Sequence, residues 1–83
     1  MKFVKKPIVI EAICFDGSEQ RYIEICSFMG QEKTEIVPDR IAIETKEGIM
    51  MADIGDWIIR GVKGEFYPCK PDIFQMTYDK VNE

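Results

Sequence analysis

Only one stretch of this chain carries helical periodicity. In "SEQRYIEICSFMG", Tyr22, Ile25, Cys26 and Met29 recur at i, i+3, i+4 and i+7, with Ile23 alongside. Ser18 can accept a hydrogen bond from a free first-turn N–H, Glu19 sits where the helix dipole favours negative charge, and Gly30 can take the positive φ of a C-terminal cap. The spacing therefore predicts one helix of about three turns. Everything around it reads as short strands cut by Gly and Pro.

"KPIVIEAICFDG" alternates. Ile8, Ile10, Ala12 and Cys14 fall on one face, and Val9, Glu11, Ile13 and Phe15 on the other. Apolar residues on both faces predict an interior strand, ended by the Asp16-Gly17 turn. "QEKTEIVPD" is a polar connector with a short extended piece at Ile36-Val37. "RIAIET" puts Ile41 and Ile43 inward and Arg40, Ala42 and Glu44 outward. A turn at Lys46–Gly48 returns the chain as "IMMADI". After a tight turn at Gly55-Asp56, "WIIRG" and "EFYPC" form two short strands around "GVKG". "KPDIF" resembles a helix start, with Pro71 in the first turn and Asp72 near the positive end, before "QMTYDKV" extends as a last strand. The predicted architecture is α+β: one helix, in the N-terminal half, packed on a curved, mainly antiparallel sheet of about five strands that can roll into a partial barrel. The 83 residues make a single domain, 1–83. Open edges on so small a sheet favour pairing with a second copy, so a homo-oligomer is expected.

Several chemistries are argued against. The chain has no histidine, the usual general base near neutral pH and the commonest metal ligand. No phosphate loop, dinucleotide fingerprint or nucleophile elbow is present. Cys14, Cys26 and Cys69 are odd in number and match no metal knuckle or redox pair, which suits a reducing compartment. Lys70 beside Cys69 could lower that thiol's pKa, yet no base accompanies it. The acids Asp53, Asp56, Glu65 and Asp72 lack ligand spacing and read as turn and cap residues. The expectation is no catalytic residue, no metal and no cofactor. Net charge is −4, and a globally acidic chain is a poor binder of duplex nucleic acid. No apolar run reaches membrane-span length, and Pro7 and Glu11 interrupt the signal-like start, so the chain reads as cytoplasmic.

The stretch "GDWIIRGVKGEFYPCKPDIF" concentrates the only Trp with three cations and three anions. With four residues in the turn, Trp57, Ile59 and Phe66 share the core side of the hairpin. Arg60 and Tyr67 then look outward, with Lys63 at the tip and Lys70 beyond the strand. Arg60, Lys63, Tyr67 and Lys70 are the candidate binding residues, since cations beside an aromatic ring suit planar anions and protein hot spots. The bland alternative is a structural hairpin whose long basic side chains cover the sheet.

This stretch, together with the start "MKFVKKPIVIEAICFDG", resembles a family of small proteins of tailed bacteriophages and prophages, mostly of Gram-positive hosts. Members share a short basic lead into an apolar strand and a Gly-Asp-Trp-Ile hairpin followed by "YPCKPDIF". The likeness covers both ends of the chain and not residues 18–46. It implies a phage accessory protein without an assigned activity, acting in the bacterial host cytoplasm, and brings no catalytic residues. Two roles follow as expectations. One is an oligomeric protein-interaction module engaging itself and a host or phage protein. The other is a binder that sequesters a small anionic, nucleotide-like ligand such as a host-defence signal.

Overall fold

The computed structural model describes residues 1–32, 34 and 36–81. Lys33 and Glu35, within the expected connector, lie outside them. The element order is β1 (Glu11–Cys14), α1 (Glu19–Met29), β2 (Arg40–Thr45), β3 (Gly48–Asp53), β4 (Trp57–Arg60), β5 (Phe66–Cys69) and α2 (Pro71–Thr77). The fold is α+β. Five antiparallel strands form a three-stranded sheet, ordered β1-β4-β5, and the β2-β3 hairpin. No closed barrel forms among the described residues.

Helix α1 starts and stops as its sequence dictates. The Ser18 hydroxyl accepts from the Arg21 N–H at 3.1 Å, and Gly30 caps the far end at φ 70°. The helix buries Tyr22, Ile25 and Cys26. These join Phe15, Ile41, Ile43, Ala52 and Ile58 in one core, where Phe15 and Ile25 are fully enclosed. The hairpin alternates as expected, with Ile41 and Ile43 buried and Arg40, Ala42 and Glu44 exposed.

Strand β1 departs from its predicted form in length and place. It covers four residues and lies at an edge, not in the interior. The reason is its partner. Strand β4 spans only Trp57 to Arg60, so pairing ends at Glu11↔Arg60, and Ile8 to Ile10 run on with no strand beside them among the described residues. Residues 1–10 have no regular secondary structure, and Phe3, Val4 and Val9 are among their exposed apolar side chains.

The C-terminal segment also differs. "QMTYDKV" is not a strand; α2 continues to Thr77. Pro71 opens it as expected, and the Tyr78 N–H still donates to the Phe74 carbonyl at 2.9 Å. Helical spacing brings Phe74 and Tyr78 to one side, where Phe74 lies flat on Trp57.

The largest correction concerns the β4–β5 hairpin. Its connection is Gly61 to Glu65, one residue longer than the four-residue turn expected. The Gly61 N–H donates to the Glu65 carbonyl at 2.7 Å, and Gly64 turns the chain at φ 83°. The register is Arg60↔Phe66, Ile59↔Tyr67, Ile58↔Pro68 and Trp57↔Cys69. Directly opposed residues share a face, so one extra loop residue moves every β5 side chain to the other side. Tyr67 therefore sits with Trp57 and Ile59, while Phe66 sits with Arg60 and Ile58. The α1 core lies against the Ile58 face. Trp57 is half-buried on the opposite face, beneath α2, and is not part of the central core.

Candidate functional site, a groove along a strand edge

Both faces of the three-stranded sheet end in aromatic side chains near the free edge of β1. On the core face, Phe28 of α1 meets Phe66 edge-on, with ring centroids 5.4 Å apart, and the Arg60 guanidinium lies 5.2 Å from the Phe28 centroid. On the other face, the Trp57 and Phe74 rings stack at 4.2 Å and 6°. Tyr78 follows Phe74 at 5.1 Å, and the Lys5 ammonium sits 5.2 Å from the Tyr78 centroid. Such contacts contribute on the order of 0.5–1.5 kcal/mol each beyond the area they bury.

Between these aromatic walls runs a groove of about 430 Å³. Its lining includes the unbroken run Ile8 to Ile13, Phe28 on one side, Trp57, Phe74 and Tyr78 on the other, and the segment Asp79 to Val81. The unbroken run is informative. A strand presenting a face contributes every second residue, whereas a strand presenting its edge contributes them all. The groove thus follows the outer edge of β1, which no strand pairs among the described residues, so an added strand can bond there.

The sequence-predicted residues do not converge. Arg60 pairs with the Glu11 carboxylate at one end of the groove, on the core face. Lys63 is exposed on the hairpin loop, its backbone N–H donating to the Glu65 carboxylate at 3.1 Å. Lys70 reaches away from the hairpin and bridges Asp53 at 3.0 Å and Asp56 at 2.9 Å. The hydrogen bonds that the Lys70 ammonium donates to Asp56 and then to Asp53 raise its pKa, and the Lys70 contact holds Asp53 below the usual carboxylate range.

Tyr67 lies half-buried on the α2 face. Burial, followed by the neighbouring Tyr78 hydroxyl, pushes its pKa from 10 up to about 12. Absorbance titration should show one phenol still protonated near pH 11, a phase that Tyr67→Phe abolishes. The folded state holds that proton more tightly than the unfolded chain. The associated stability is present below pH 10 and is lost as pH rises from 10 towards 12. Persistence of the late phase in Tyr67→Phe would reassign it to another tyrosine.

Cysteine activation finds no support in the geometry. Burial pushes the Cys69 thiol up, with Asp56 and Asp72 adding to the effect, while the Lys70 ammonium is engaged elsewhere. Burial raises Cys14 as well. Among the described residues, no group of three His, Cys, Asp or Glu side chains could hold a metal ion, and no helix is long and apolar enough to cross a membrane.

The residues that sequence reasoning missed are Phe28, Phe74, Tyr78 and the edge from Ile8 to Ile13. The four-residue spacing of Phe74 and Tyr78 was a usable signal for a helix, but their target, Trp57, depended on the hairpin register. No protein-family model, curated protein or solved structure matches the chain.

Proposed function

We propose that this protein is a non-catalytic interaction module that takes an extended polypeptide segment along the edge of β1. The supporting observation is the groove itself: it follows the outer edge of β1 and the residues Ile8 to Ile10 that lead into it, and it is lined by Phe28, by the Trp57-Phe74-Tyr78 stack and by Asp79 to Val81. Strand addition draws affinity from main-chain hydrogen bonds and specificity from flanking pockets, and both elements stand together here. The ligand-sequestering reading needs converging cations. Arg60 and Lys70 instead face carboxylates, and Tyr67 occupies the face opposite Arg60. The phage setting in a bacterial cytoplasm rests on the likeness of the two terminal motifs and on three free thiols.

A library of short peptides with alternating apolar and polar residues, titrated by nuclear magnetic resonance, tests this reading. Binding should shift the amides of residues 8–13 and the Trp57 indole, and Trp57→Ala should weaken it at least about tenfold, as loss of a hot-spot aromatic does. Shifts confined to Arg60 and Lys63 on adding nucleotides, with no peptide bound at the edge, would replace it with the anionic-ligand role.

A further inference from the structure

We infer that the segment occupying this edge is the same segment of a second copy, so that two chains pair β1 to β1 in one continuous antiparallel sheet. The inference rests on the strand-addition reading above and names its occupant. Three observations carry it.

First, the chain already holds the complementary strand. Ile8, Val9 and Ile10 continue the alternation of β1 past the end of β4, and Ile8 and Val9 are 49% and 74% exposed. Inside one chain these residues have a strand's composition, and among the described residues no strand pairs with them, Asp79 to Val81 lining the same groove without strand structure. Second, charge favours the exchange. Three of the eleven basic residues lie in the first ten positions, while all fifteen acidic residues lie from Glu11 onward. The start of one chain is therefore attracted to the body of another. Third, the start is already tethered near the groove by the Lys5 ammonium over Tyr78, so less ordering remains to be done on pairing.

Chemistry also selects the register. The core faces of both copies stay on the same side of a continuous sheet only if the numbers of facing residues sum to an even value, because alternate residues point to opposite faces. Centring the two-fold axis on Glu11 would set two carboxylates against each other, which is repulsive. Moving the axis towards the start draws Pro7, which has no N–H, into the ladder. Centring on Ile10 avoids both. Ile10 then faces Ile10 of the second copy, Ile8 faces Ala12, and Val9 faces Glu11. Such a self-matched contact is the form a two-fold dimer requires.

Analytical ultracentrifugation of the full chain tests this directly. The wild type should sediment at twice the chain mass, and Val9→Glu, at an exposed position outside the core that sets a carboxylate against Glu11 of the second copy at both symmetric sites, should halve it. Met51→Lys serves as the control. Met51 is 46% exposed on the outer face of β3, a competing apolar surface, and its substitution should leave the mass unchanged. Under mild oxidation Ile10→Cys should form an inter-chain disulfide between the introduced thiols, because directly opposed residues lie about 4.5–5.5 Å apart at Cα. Val9→Cys should not, since its two copies would be offset along the strands. A dimer that survives Val9→Glu, or that Met51→Lys dissociates, overturns the proposal. A monomeric wild type that still takes library peptides along Ile8–Ile13 overturns the second-copy occupant and leaves strand addition standing. A monomer that takes none overturns both.

Discussion

Phe15→Ala is expected to destabilise the protein by about 3–5 kcal/mol, the usual cost of emptying a fully enclosed phenylalanine site. Phe15 has no exposed surface and belongs to the cluster that joins α1, the β2-β3 hairpin and β4. Its backbone is separately anchored. The Phe15 N–H donates to the Asp56 carbonyl at 2.9 Å, and its carbonyl accepts from the Gly55 N–H at 2.6 Å. Alanine keeps both bonds, so the loss isolates the ring's burial and the cavity left behind. A chain of 83 residues has a total stability of roughly 4–12 kcal/mol. The substitution thus removes about a quarter or more of it and should lower the Tm by roughly 10–40 °C. Urea unfolding should show a lower midpoint at unchanged slope. A loss under about 1 kcal/mol would mean that the ring is not enclosed as described. Phe74→Ala gives the contrast: Phe74 is half-buried outside the central core, so the smaller loss should appear in stability and the larger in groove binding.

Local signals proved dependable where a few neighbouring residues decide the outcome. Ser18, Glu19 and Gly30 delimit α1, and Ile41 and Ile43 fix the inner face of β2, because caps and alternation are properties of short segments. Two features depended on partners that a single segment does not reveal. The reach of β1 is set by the length of β4, which stops at Arg60, forty-six positions beyond Cys14. The two faces of the β4–β5 hairpin are set by whether Glu65 belongs to the strand or the loop, and the two glycines at 61 and 64 invited the shorter reading. That one residue separated Arg60 from Tyr67 and dispersed the expected binding face. The same shift placed Trp57 under Phe74 and so created one wall of the groove. The candidate site was thus illegible for a specific reason: it lies where three segments distant in sequence meet, and its geometry inherits the phase of a single loop.

Asp56→Ala should cost about 2–3 kcal/mol, in line with losing hydrogen bonds to a buried charged group. Asp56 is 3% exposed, and its carboxylate accepts from the Asp53 N–H at 2.8 Å and from the Lys70 ammonium at 2.9 Å. One side chain therefore closes the β3–β4 turn and ties it to the residue that opens α2. Alanine leaves the Asp53 N–H without this acceptor and frees Lys70 from its principal partner. Asn retains an oxygen acceptor for the Asp53 N–H but not the charge, so Asp56→Asn should fall between the wild type and alanine. The pH dependence separates the two contributions. Lys70 has a raised pKa in the folded state, first through Asp56, so its share of the stability is fully present below the ordinary value of 10.5 and is lost as pH rises past it. The gap between wild type and Asp56→Ala should consequently narrow in strong alkali, leaving the part due to the Asp53 N–H. Asp53 behaves in the opposite sense. Its pKa is lowered, chiefly by Lys70, so its share is present above 3.8 and disappears as pH falls through the lowered value. Urea midpoints of the three proteins across the pH range measure both limbs. A gap that stays constant into alkali would show that Asp56 acts through the turn alone, with Lys70 contributing nothing to the anchoring of α2.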